Sequence, residues 1–169
     1  MTENPFRPPT AEVETAEESK QRGSLWKGVL LGGVADFGGT LAMGTIMFII
    51  FLVQIWSPEM TPEQMERVAE EYTQLLSDFD NIWSLLGLVF GLGFSVLGGF
   101  VCAIFAKERW KNAVLILASI LSVYGLLAGS EYYQLGVNIV LVILSFMSIY
   151  LGGWLRARMQ AQKASSESN

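Results

Sequence analysis

One carboxylate stands apart in this sequence. Asp36 lies among small residues, Gly32-Gly33-Val34-Ala35-Asp36-Phe37-Gly38-Gly39-Thr40, inside an apolar run from Leu25 to Trp56. A carboxyl so placed can take up a proton, hold a cation or accept a hydrogen bond, and an ionisable group within an apolar span is a functional candidate on energetic grounds. Burial disfavours its charged form unless a cation is near. The spans carry no lysine or arginine, so a cation has to reach in from Lys27, Lys107 or Arg109. The alternative is a hydrogen bond to Ser95, Ser122, Tyr124 or Asn138. Structural cohesion and contact with a proton, cation or substrate both remain open.

Other reactive groups are few. Cys102 is the one cysteine and there is no histidine, so an intrachain disulfide and the usual zinc and haem ligand sets are excluded. Glu108 between Lys107 and Arg109 reads as a solvated turn. No nucleophile–base pair, phosphate-binding glycine loop or metal motif is present. The expectation is a protein that is not an enzyme and has no cofactor. A net charge of −5 argues against a nucleic-acid partner.

The elements that position Asp36 follow from hydropathy. Apolar residues make up 51% of the chain and are gathered into blocks such as Leu85 to Ala106, which carries no charge. About 20 such residues cross the ~30 Å hydrocarbon core as a helix, and period-two alternation, which a barrel requires, is absent. The pattern predicts an all-α integral membrane protein, a four-helix bundle with spans near 26–56, 82–106, 112–129 and 135–155. The 1–24 segment, with Pro5, Pro8, Pro9 and its glutamates, reads as a disordered tail, and 159–169 as a second polar tail. Inserting charged Asp36 costs ~2.5–3.5 kcal/mol. The fourteen Leu, Ile, Val and Phe residues from Val29 to Ile55 each return ~0.3–0.6 kcal/mol, so the span still inserts.

Between the first two spans, Thr61-Pro62-Glu63-Gln64 carries the marks of a helix start. Met65, Val68, Ala69, Tyr72, Leu75, Leu76 and Phe79 then recur at helical spacing. The other face holds Glu63, Glu66, Glu70 and Glu71. An acidic amphipathic helix near 62–79 is expected to pack over the spans, because helices that bind lipid surfaces are usually basic. Lysine and arginine set the orientation. Ten lie in the N-terminal tail, the 107–111 turn and the C-terminal tail, against Arg67 alone on the other side. The positive-inside rule puts both termini in the cytoplasm and the acidic helix outside.

Small residues predict how the helices meet, since close backbone approach drives packing in lipid. Gly28, Gly32, Asp36, Thr40 and Gly44 recur every four residues, as do Gly87, Gly91, Ser95, Gly99 and Ala103. Two such stripes predict that the first two long helices pack on one another, with Asp36 at their interface. Asn138, Ser145, Ser148 and Gly152 give the last span a small polar side.

The opening Asn4-Pro5-Phe6-Arg7-Pro8-Pro9, the Asp-x-Gly-Gly-Thr core at Asp36–Thr40, and Gly98-Gly99-Phe100 leading to Ala106-Lys107-Glu108-Arg109 resemble a pattern in small four-span bacterial inner-membrane proteins without an assigned activity. The resemblance implies fold and an inner-membrane location. It implies no reaction. The functional expectation is a protein acting through helix association, as a homo-oligomer or with another membrane protein, its surroundings being the lipid bilayer. The alternative is an oligomeric transporter or channel for a small solute or ion, with Asp36 in its conduit.

Overall fold

A computed structural model describes residues 23–55, 57, 59–78, 80–131 and 133–167. The 1–22 tail, Trp56, Phe79 and Tyr132 lie outside the described residues. The fold is all-helical, and no strand occurs among the described residues. The helices are α1 (Leu25–Ile55), α2 (Pro62–Ser77), α3 (Ile82–Ala106), α4 (Trp110–Gly129) and α5 (Leu135–Glu167). Three stretches are long and apolar enough to cross a membrane: Leu25–Ile55, Ile82–Gly129 and Leu135–Ser166. Their outward faces carry Leu30, Val34, Leu41, Val53, Leu127 and Leu135, each more than half exposed. Apolar surface on that scale marks a membrane protein.

The middle stretch is broken at its basic centre. Lys107–Arg109 form one 3₁₀ turn, and Lys107 sits at φ 49° while its N–H bonds to Ala103 O and closes α3. At the same end, Gly23 adopts φ +70° against the Phe105 carbonyl, and Ser24 N–H donates to Phe105 O at 3.0 Å. A side chain at Gly23 would meet both obstacles at once. Lys111 lies over the Trp110 ring and Arg158 over the Trp154 ring, so the bundle has one end rimmed by cations and indoles.

Helix α3 is central and touches α1, α4 and α5, while α4 also touches α1 and α5. The core at the basic end is sealed. Cys102, Ala106, Ala113, Val114, Leu117, Ala118 and Ile149 are 0–2% exposed and form one cluster with Val29.

Helix α2 opens on a capping box, with Thr61 N–H donating to Gln64 Oε1 at 2.9 Å and Gln64 N–H to Thr61 Oγ1 at 3.4 Å. It packs through Val68 and Tyr72 onto Met47 and Phe51 of α1, and Trp83 of α3 meets Phe51 edge-on. Met65 stays 42% exposed, so the contacting face is narrower than its periodicity implies. Helix α5 runs twelve residues past Leu155 to Glu167, where the sequence reading ended the span. The residues Arg156 to Ala164 are good helix formers without glycine or proline, so nothing stops the helix as it leaves the apolar zone.

Tyr72 is 7% exposed, yet its hydroxyl finds no hydrogen-bond partner among the described residues. Burial pushes its phenol above the usual range. The phenolate is therefore disfavoured in the fold. That contribution is complete below the free phenol value of ~10 and is lost as pH rises through the higher folded value. Removing a buried hydroxyl without a partner by an isosteric change is close to neutral or stabilising. Tyr72→Phe is expected to match or exceed wild-type thermal stability by up to ~1 kcal/mol and to lose less stability above pH 10, measured by unfolding in detergent. A clear destabilisation would show that the hydroxyl is bonded after all.

Candidate functional site

The site begins where α1 and α3 come closest. A Cβ on Gly28 would lie 2.7 Å from Cys102 O, and one on Gly32 would lie 2.7 Å from both Gly98 O and Cys102 Cβ. From the other helix, a Cβ on Gly98 would lie 2.8 Å from Gly32 O and 2.7 Å from Asp36 Cβ. Gly32 and Gly98 thus face each other, with Asp36 one turn further along. No side chain fits between these backbones.

Beyond Asp36 the two helices part. A Cβ on Gly39 would fall on the Phe94 ring, and Gly44 and Gly91 have nothing within 4 Å. Two expected packing positions on α1 are corrected here: Thr40 and Gly44 are both exposed, and a Cβ on Gly44 would meet nothing within 4 Å. Gly91, half-buried, is corrected too, since a Cβ there would meet nothing within 4 Å. Gly99 does pack, but against the Ile149 carbonyl of α5 rather than against α1. The physical reason is the helical repeat. Four residues turn a helix by ~400°, so a strict every-fourth stripe drifts ~40° per step and leaves the interface after about two steps. Gly98, absent from the every-fourth pattern, occupies the place given to Gly99.

Asp36 is 6% exposed. Ser95 Oγ donates to Asp36 Oδ1 at 3.0 Å, and Ser95 Oγ lies 3.2 Å from Ser145 Oγ. A hydroxyl has one hydrogen, and Ser95 uses it on the carboxyl, so Ser145 donates to Ser95. The result is a polar chain across α5, α3 and α1. Asn138 is not part of it: its Nδ2 donates to Leu126 O at 3.0 Å and joins α5 to α4. Tyr124 instead meets Phe37 edge to face, with ring centroids 5.8 Å apart.

Where α1 and α3 diverge they leave a half-open cavity of about 460 Å³, lined also by Tyr124 of α4 and Ser145 of α5 and within the ~300–1,000 Å³ range of small-molecule sites. Asp36, Ser95 and Ser145 line it at the end nearest the sealed core, and Met47, Tyr72 and Ser84 line it towards α2. Asp36 and Met47 are eleven residues apart on α1, which is ~16 Å of helix rise. Gly87, Gly91 and Gly44 also line it, and with nothing within 4 Å of a Cβ at Gly44 or Gly91 these two widen the space rather than close a contact. No lysine or arginine is among its described lining residues. Cys102 is fully buried in the sealed cluster on the other side of Asp36.

The sequence reading placed Ser145 on the polar side of the last helix without giving it a partner. Pairing it with Ser95 needs the α3–α5 contact, where a Cβ on Gly152 would fall on the Val96 carbonyl. Compared with protein-family models, curated proteins and solved structures, the chain matches none. The geometry alone therefore carries the functional argument.

Proposed function

We propose that this is a four-span inner-membrane protein, both termini cytoplasmic, that admits a small solute from the extracytoplasmic side into a pocket ending at Asp36. In this reading α1, α3, α4 and α5 are the spans, the Lys107–Arg109 turn reverses the chain at the cytoplasmic face, and α2 is an acidic helix outside. The carrying observation is the cavity, floored by the carboxyl–serine–serine chain, beneath which the core is sealed. A continuous pore does not fit that asymmetry. A binding site facing one side does, as in one state of a carrier. Binding is favoured over catalysis because the two serines bond each other and the carboxyl, and the chain has no histidine to serve as base.

Self-association is supported by a different observation. Gly38, Gly93 and Gly136 have nothing within 4 Å, so a second copy could approach closely at these positions. Such an assembly is compatible with the pocket, since the Gly32–Gly98 contact is already satisfied within one chain.

The test is thiol labelling in membranes. Ser145→Cys in a Cys102→Ser background is expected to react with a small membrane-impermeant reagent added outside. Native Cys102 in the wild-type protein is expected to stay unreactive from either side. An abundant Ser145→Cys protein that does not label would remove the pocket reading and leave association in front.

A further inference from the structure

We infer that the pocket takes an organic cation, with Asp36 as counter-ion and aromatic rings as walls; this rests on the pocket reading above. Asp36 has no charged partner among the described residues that line the cavity. Asp36 lines the cavity and is 6% exposed, and its hydrogen-bond partner is neutral Ser95. Lys27, the nearest cation on its own helix, is nine residues away, ~13 Å of rise. Ionising a buried carboxyl without an opposite charge is costly, and a bound cation would supply that charge where the chain does not.

The walls select the kind of cation. Phe37, Phe90, Tyr124, Tyr133 and Tyr72 all line the same cavity. Phe37 follows Asp36 directly and stands edge to face with Tyr124, and both rings line the cavity that the carboxyl lines. Ring faces attract cations that approach within ~6 Å of the centroid, more strongly when water is excluded. A hydrated inorganic ion would leave these apolar walls unused. A quaternary or protonated amine on a compact aromatic or aliphatic body uses both features. At the α2 end, the Tyr72 hydroxyl is buried and without a partner, so a polar group at the far end of a longer ligand would find a place to bond. A lipid acyl chain would match the walls but leave Asp36 facing hydrocarbon, and the experiment below separates it.

The test uses two probes of nearly equal shape, (3-hydroxyphenyl)trimethylammonium and its neutral counterpart 3-tert-butylphenol. Each is titrated calorimetrically into the full-length protein in phosphatidylcholine nanodiscs at pH 7, with empty nanodiscs as blank. The cation is expected to bind at least tenfold more tightly than the neutral probe. Asp36→Asn is expected to weaken the cation at least tenfold and to leave the neutral probe within threefold, which also shows that the variant is folded. Tyr124→Leu, at a side chain 54% exposed, is expected to weaken the cation about threefold or more and the neutral probe less. Equal binding of the two probes, or an Asp36→Asn protein that keeps the cation's affinity, would overturn the cation assignment while the pocket stands. Binding of neither probe to wild-type protein would overturn both, as expected if an acyl chain fills the cavity.

Discussion

Replacing Gly152 with alanine is expected to abolish most folded protein, and Gly99→Ala to do nearly the same. A Cβ on Gly152 falls on the Val96 carbonyl and 2.8 Å from Phe100 N; one on Gly99 falls on the Ile149 carbonyl and 2.7 Å from its carbon. Every obstructing atom is backbone, so no rotamer change relieves the clash. The helices must separate or shift along one another. Overpacking by one methyl costs ~1–3 kcal/mol where side chains can adjust, and here the cost lies at or above the top of that range. The shift also strains the Ser95–Ser145 contact, made by the same two helices. Gly44→Ala and Gly91→Ala are the matched controls for stability, because nothing lies within 4 Å of a Cβ at either, both lie in helix interiors and alanine gains ~0.5–1 kcal/mol over glycine there. Detergent-solubilised yield and unfolding midpoint check all four variants. Wild-type behaviour of Gly152→Ala would mean that α3 and α5 do not meet in this way.

Leu117→Ala is expected to cost ~2–5 kcal/mol, the range for truncating a buried leucine. Leu117 is 2% exposed. Its two methyls reach across from α4 to the glycine face of α1: a Cβ on Gly32 would lie 2.8 Å from Cδ2, and one on Gly33 would lie 3.5 Å from Cδ1. Between spans the loss is one of close packing more than of hydrophobic transfer. The void would open in the sealed layer that also buries Cys102. The variant is therefore expected both to unfold earlier and to expose Cys102 to a small thiol reagent that leaves the wild-type protein unlabelled. Unchanged stability would show that α4 is not seated against α1. Reduced stability with Cys102 still protected would mean that the neighbouring side chains close the gap.

Both predictions depend on contacts between helices that residue type alone does not specify. The every-fourth stripe suggested that α1 and α3 meet, and Gly28, Gly32 and Asp36 lie where it put them. It could not choose between Gly98 and Gly99. Adjacent positions on a helix point ~100° apart, so one of this pair faces α1 and the other faces α5. Which is which depends on how α3 is rotated between two neighbours. The same ambiguity left Ser145 without a partner and offered Asn138 to Asp36, although Asn138 bonds across to α4. The cavity was equally hidden, since it exists only because the helices part beyond Asp36.

What the sequence determined by itself is local. Uncharged runs of sufficient length become helices wherever backbone hydrogen bonds must close internally. A basic break falls at Lys107–Arg109, and Thr61, Pro62 and Gln64 start α2 through bonds reaching four residues at most. Each follows from composition, length or near-neighbour geometry. The tertiary structure decided what depends on rotation and separation of whole helices: the pairing of Gly32 with Gly98, the Ser145–Ser95–Asp36 chain, and the pocket above it. Those relations join residues 50 or more positions apart, and a rotation of one residue step would undo them while leaving every helix and its hydropathy unchanged.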